Sequence, residues 1–432
     1  MSSSPGSTSP LPPEAVRADV VVPLDAPRWE PLVSRRRAVA ALTAMSLAGF
    51  ALSANESAPF GLIRLMAADL GRTESEVGLL VTAFALAIVI TSIPLAAALR
   101  RVERRWVLSA ALAFFTVGGV LVASASTMTH LTVGRVVQAL GQSLFWTVVN
   151  STAVTLFPPH LRGKTVARVL IGSSAAAVVG LPAVTRLGQL TSWQVPFWVL
   201  AGLGAVLTVA LAVLVPSYSP GSAQGSRGSN PHRRRFLVVL AVVGLSTTST
   251  SLTYTYITPF FVEVTGVSEA VIPALLLCAG ACGLAGTLLV GRFLDRYPVR
   301  TMAVALMALV GVWGMLSAGG RTVWVAAPVL LVQAMAWSVF VAAANNRIMR
   351  HSPGSTDMGI ATNAMLFNAG NAVGSLIGAG VLARVGAGWL PVLSLAAVSL
   401  ALTVLGAEWR QLGGGMGVRV RDLVRPRARV LR

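Results

Sequence analysis

Twelve apolar runs, each about as long as a bilayer is thick and parted by short charged turns, constrain this chain more than any other feature. A membrane-crossing helix needs about 20 mostly apolar residues. By hydropathy and breaks the runs cover 37–62, 76–99, 106–126, 129–157, 164–187, 193–215, 236–262, 269–291, 301–318, 322–347, 358–384 and 388–408. Hydrocarbon offers backbone N–H and C=O groups no partner, so segments of this length must satisfy their own hydrogen bonds as helices. The composition agrees, with 55% hydrophobic and 11% charged residues, where soluble domains carry about 25% charged. The expected fold is an all-α polytopic membrane protein of 12 transmembrane helices in two six-helix bundles.

Charge placement sets the orientation. A net charge of +19 could suit nucleic acid, but the basic residues lie in alternate turns and in the two tails, which is the positive-inside pattern rather than a phosphate-binding surface. Arg100-Arg101-Val102-Glu103-Arg104-Arg105 follows run 2, Arg162-Gly163-Lys164 run 4, and Arg233-Arg234-Arg235 closes the turn after run 6. Arg292, Arg296 and Arg300 follow run 8, Arg347 and Arg350 run 10, and seven arginines lie between Arg410 and Arg432. The opposite turns hold Glu56, Asp69, Glu74, Glu76, Glu263 and Glu269. Both tails are therefore expected in the cytoplasm. Lys164 is the only lysine, a bias of GC-rich bacterial coding, so the expected site is a bacterial inner membrane.

The boundaries follow. Residues 1–35 form a Ser/Pro-rich tail without an apolar signal region, expected to be disordered; 36–215 form the first bundle; 216–235 a Gly/Ser/Pro-rich cytoplasmic linker; 236–409 the second bundle; 410–432 a basic tail. The halves echo each other in the turns after runs 2 and 8 and after runs 4 and 10. Two homologous six-span halves imply a cavity between them and rocking of one half on the other. The two cysteines, Cys278 and Cys282, are too few for a disulfide framework and have no histidine near them in sequence. No metal, cofactor or nucleic acid is expected, and the chain is expected to act as a monomer in the lipid bilayer.

Glu56 is the residue around which function is read. The first run has no charge until this acid, in Asn55-Glu56-Ser57-Ala58-Pro59-Phe60. A carboxylate inside a span is costly unless protonated, paired or facing water, and marks a proton path. The plain alternative is a solvated acid at the helix end. Run 1 runs outward and run 4 inward, so Glu56 and Arg135 each fall about 9 Å from the outer end at 1.5 Å per residue. Equal depth permits an ion pair or a shared water network between a titrating acid and a fixed positive charge. Alternatively Arg135 only anchors its helix to backbone carbonyls of its neighbours.

Polar stripes continue the pattern. Gln138, Gln142, Trp146 and Asn150 follow Arg135 at helical spacing on one face. In the second half Gln333, Trp337 and Asn345 lie on run 10, Asn363 and Asn368 on run 11, and Tyr254 and Tyr256 on run 7. These, with Asn55, are candidate contacts for a neutral solute; interhelical hydrogen bonding is the other reading. Gly172, Gly180 and Pro182 allow close approach and a bend in run 5. No acid is expected inside the last six spans, which favours antiport.

The residues resemble a family. Twelve spans in a six-plus-six arrangement, with Gly291-x-x-x-Asp295-Arg296-x-x-x-Arg300 after run 8, resemble the major facilitator superfamily over residues 36–410. Asn55-Glu56 with Gly61-Leu62, Ala67-Ala68-Asp69-Leu70 and Gly134-Arg135-Val136-Val137-Gln138-Ala139 resemble its drug:proton antiporter-1 group. Asn345-Asn346-Arg347 through Asp357 and Phe367-Asn368-Ala369-Gly370 are similar to its sugar-efflux, arabinose-efflux and chloramphenicol-resistance branch. The resemblance implies proton coupling through Glu56 and Arg135, an antiporter motif at Gly172, Gly180 and Pro182, and a cytoplasmic motif at Gly291, Asp295, Arg296 and Arg300 that stabilises the outward-open state. The chain departs from the pattern in having no acid near Arg101 and Arg64 where members usually have proline. With no phosphate-binding loop, ATP is not the expected energy source, and with no histidine or His-Glu pair embedded in a span the chain is expected to be not an enzyme but a proton-coupled antiporter exporting a small neutral or amphipathic solute such as a drug or antibiotic, a sugar or a nucleoside. A facilitator or proton symporter of the same fold is the alternative.

Overall fold

The computed structural model describes residues 32–99, 102–158, 161–217, 230–294, 296–354 and 356–411. Most of both tails, most of the linker and Asp295 lie outside the described residues. The described residues are almost wholly helical: α1 (Arg35–Leu70), α2 (Glu74–Ala98), α3 (Arg104–Ala123), α4 (Met128–Thr155), α5 (Arg162–Ala175), α6 (Leu181–Leu190), α7 (Gln194–Leu214), α8 (Arg233–Tyr254), α9 (Ile257–Pro259), α10 (Ile272–Leu294), α11 (Pro298–Gly319), α12 (Val323–His351), α13 (Thr356–Val385) and α14 (Leu390–Gln411). Among the described residues, 11 helical segments are long and apolar enough to cross a membrane. The expected fourth span, α4, is as long as the others but is diluted by Arg135, Gln138, Gln142 and Asn150.

Local chemistry sets the ends. Gly71 terminates α1 in the left-handed region at φ 60°, which only glycine adopts cheaply. Thr73 and Glu76 then cap α2 reciprocally, Thr73 N–H donating to Glu76 Oε2 at 2.9 Å and Glu76 N–H to Thr73 Oγ1 at 3.2 Å. Arg37 closes the end of α7 by donating to the carbonyls of Val213 and Leu214, where the helix dipole favours a cation.

Three expectations are corrected. The first helix does not end at 62 but runs on to Leu70, because Arg64 finds carboxylate partners and so does not break it. Glu56 is thus about four turns from the helix end, farther than the about 9 Å expected from a run ending at 62. The seventh span is interrupted: α8 stops at Tyr254, a turn spans 255–256, and a π-helical turn over Phe260–Val264 follows α9. Pro259 removes the N–H that a continuous helix needs there. Lastly, Glu408, the final residue of the twelfth run, is a buried acid within the second half. Arg347 Nη2 donates to both its oxygens at 2.8 Å, an arginine-carboxylate pair 1% and 8% exposed.

Helices α1 to α7 pack among themselves, as do α8 to α14, and the two sets meet at α2 against α13, at α1 against α9, and at α10 against α6 and the residues before it. Small residues bring these helices close. A Cβ on Gly172 would overlap the Ser46 carbonyl oxygen of α1, and one on Gly280 would overlap the Ala177 carbonyl across the halves. Between α5 and α6 the helix widens to a π-turn, Ala176–Gly180. Pro182 follows it, and a proline that cannot donate is one of the few identifiable causes of such a disturbance.

Candidate functional site

The polar face of α4 is laid against Asn55 and Glu56 of α1. Arg135 Nη1 donates to the Asn55 carbonyl at 3.0 Å and to Gln138 Oε1 at 3.2 Å. Gln138 Nε2 donates to Asn55 Oδ1 at 2.9 Å, and Gln142 Nε2 to Glu56 Oε2 at 2.6 Å. Asn55 and Arg135 are fully buried, and the Arg135 guanidinium lies 4.2 Å over the ring of Phe84. Glu56 and Arg135 therefore share one network, but among the described residues they form no direct ion pair. The arginine sits on a backbone carbonyl and the acid on a neutral amide.

A cavity of about 310 Å³ opens between the halves next to this network. Ser53 and Ser57 of α1 line it, on either side of Glu56 in sequence, facing Thr250, Tyr254, Gln333 and Trp337 of the second half. No Asp, Glu, Lys or Arg is among its lining residues. Ser173 Oγ, Thr250 Oγ1 and Gln333 Oε1 are buried there without a hydrogen-bond partner among the described residues. Buried polar atoms are ordinarily satisfied, so this wall offers unspent hydrogen-bonding capacity beside two aromatic faces.

Above the cavity the halves are tied together. Phe60 meets Tyr254 edge to face with centroids 5.6 Å apart. Thr258 Oγ1 donates to the Phe60 carbonyl at 2.8 Å, and Gln189 Nε2 to the Glu269 carbonyl at 2.7 Å. Arg64 lies 3.0 Å from Glu74, 3.2 Å from Glu263 and 2.7 Å from Glu269.

The sequence candidates separate into groups. Tyr254, Gln333 and Trp337 line the cavity, and Asn55, Glu56, Arg135, Gln138 and Gln142 form the network beside it. Trp146 packs edge to face on Phe145, and Asn150 Oδ1 is buried without a partner among the described residues. Tyr256 is fully buried with its hydroxyl donating to the Ser375 carbonyl at 2.9 Å, wedged between Gly78 and Gly378. Asn363 donates to Asn345 at 3.0 Å, and Asn368 to the Ala364 carbonyl of its own helix. Gly172 and Gly180 press on α1, and Pro182 begins α6. Gly291 lies in the last turn of α10, and Arg296 and Arg300 flank the Tyr297 ring at 5.3 and 5.2 Å.

Sequence reasoning missed Ser53, Ser57, Ser173 and Thr250. A lone hydroxyl in an apolar run usually bonds its own helix; only the dense 246–251 Ser/Thr run was a signal. It also noted Arg64 without finding its partners.

Comparison with known proteins completes the picture. A protein described as "Probable sugar efflux transporter" from Helicobacter acinonychis (strain Sheeba) is 26% identical over 357 residues, covering 80% of this chain and 89% of that one. The crystal structure of a bacterial homologue of the human lysosomal transporter Spinster, inward-facing and unoccupied, superposes with a TM-score of 0.66 at 16% identity, covering 87% of this chain and 94% of that one. A mutant of the nucleoside transporter NupG superposes at 0.67 with 13% identity, covering 86% and 99%. At these identities the solved structures share the fold. The sequence also matches the profile of the Major Facilitator Superfamily over residues 45–357, and with the helical bundle and cavity described above, the chain belongs to that superfamily of multi-pass membrane transporters.

Proposed function

We propose that this transporter exports a small neutral, hydroxyl-bearing solute in exchange for protons, with Glu56 as the proton carrier and Arg135 as its fixed counter-charge. The observation that carries the reading is the pairing of an uncharged, hydrogen-bond-rich cavity with an intramembrane acid one residue from its wall. A cavity without formal charge suits a neutral solute, because an ion moved from water would meet no counter-ion there. Hydroxyls and an amide match polyol hydroxyls as donors and acceptors, and Tyr254 and Trp337 offer faces for a sugar ring. The similarity to a sugar efflux protein supports the same class; a nucleoside or a neutral antibiotic would use the same groups. Twelve spans, cytoplasmic tails, a flexible linker between two six-helix halves, a bacterial inner membrane and a monomer complete the proposal.

A facilitator or proton symporter of the same fold is the second reading, favoured by the carbonyl seat of Arg135, which an anchoring residue would also take. Proton release on substrate addition separates the two. Purified protein is mixed with pentoses, nucleosides and chloramphenicol-like compounds, for wild type and Glu56→Gln. Release by the wild type that Glu56→Gln abolishes supports antiport, and the compound names the class. Transport that persists in Glu56→Gln without pH dependence favours the facilitator.

A further inference from the structure

Arg135 binds a backbone carbonyl inside an α-helix, an acceptor that a regular helix would already have used. In α1 the Asn55 carbonyl should accept from the N–H four residues on. That residue is Pro59, inside the helix and buried, and it has no N–H to give. The helix continues past it to Leu70, so one carbonyl is left without its helical donor, one residue before Glu56. Arg135 Nη1 reaches this oxygen at 3.0 Å. We propose that Pro59 is a positioning residue for proton coupling: by emptying the Asn55 carbonyl it seats Arg135 on the backbone and keeps the guanidinium from closing an ion pair with Glu56.

The remaining contacts make the consequence specific. Arg135 Nε and Nη2 have no partner among the described residues, so the guanidinium retains donors to turn towards a carboxylate. Glu56 is held through one oxygen by Gln142, and Arg135 is the charged side chain of the adjoining network, bonded to Asn55 and Gln138. The other elements against this part of α1 bring neutral groups: Phe84 from α2 beneath Arg135, Gly180 from the π-turn against Ala54 and Thr185 from α6 against Gly61, and, near Phe60, Thr258 of α9 and the phenol of Tyr254 of α8. A carboxylate facing a neutral amide keeps its capacity to take a proton; one clamped by arginine loses it, by about 1–3 pH units. The seat provided by Pro59 is thus what holds Glu56 in a titratable setting. The inference rests on the proposed coupling role of Glu56, but its test does not need transport.

The test follows the protonated-carboxyl stretching band of Glu56 by infrared spectroscopy in purified full-length protein without solute, the band assigned by its loss in Glu56→Gln. Pro59→Ala and Pro59→Val each return an N–H to the helix. Both are expected to move the protonation midpoint of the band at least about 1 unit to the acid side, and adding Arg135→Gln to Pro59→Ala is expected to abolish the shift. An unchanged midpoint in both folded variants overturns the proposal, since the Asn55 carbonyl then accepts both donors at once. A shift that survives Arg135→Gln overturns it as well, since the effect is then not routed through the arginine. If Glu56→Gln transports normally while the band behaves as expected, the antiport reading fails and the positioning role stands.

Discussion

Arg64 Nε lies 2.7 Å from Glu269 Oε1, so a side chain of the first half is ion-paired to one of the second across the end of the cavity nearest Phe60. The same guanidinium meets Glu74 and Glu263 through Nη1, which sets one positive charge among three carboxylates from both halves.

Removing Arg64 should loosen this end of the cavity. The partners are 18–46% exposed, and pairs of that kind are worth about 0.2–1 kcal/mol each after solvent screening. Arg64→Ala is expected to shift the population towards forms open at this end by roughly fivefold, and less in high salt. Spin labels on Arg72 and Val271 would report it as a longer distance component; an unchanged distribution would deny the cluster any latching role.

Gln333→Ala and Thr250→Val each remove one of the unspent polar groups of the cavity. A hydrogen bond of this kind contributes about 1 kcal/mol, so each change should weaken binding of the transported solute by about fivefold while leaving the protein's melting temperature close to wild type. Calorimetric titration with the compound that triggers proton release measures it.

Gly172→Ala should destabilise the first half. The added methyl meets the Ser46 carbonyl, and forced overpacking of this sort costs about 1–3 kcal/mol. Gly163→Ala is the control, because nothing lies within 4 Å of its Cβ. Thermal unfolding followed by fluorescence-detected size exclusion should separate the two, with a lower midpoint for Gly172→Ala alone.

Breaking the Arg347–Glu408 pair from one side leaves a buried charge. Arg347→Met or Glu408→Gln should each cost about 3–5 kcal/mol, and the double change Arg347→Met/Glu408→Leu should recover much of that loss. Equal destabilisation by the single and double variants would mean that packing, not charge, is what the pair supplies.

Spans, turns and the lone acid were legible because they are local: hydrophobic length, a proline or glycine, and an uncompensated charge each act within a few residues. Even there the reading stopped eight residues short on α1, because the cost of Arg64 is removed by carboxylates about 200 positions away. Glu408 was passed over for a similar reason. At the end of an apolar run it reads as a surface acid, and only Arg347 from another helix makes it an interior one.

By itself the sequence determined that the chain is a bundle of membrane helices, and singled out Glu56 and Arg135 on two of them. It did so because a bilayer enforces length and polarity on every span. The tertiary structure decided how those two residues are held. Which carbonyl a buried arginine occupies depends on which carbonyl its neighbour leaves empty. The same holds for the cavity wall, where hydroxyls that look alike along the chain differ only in whether another helix has satisfied them.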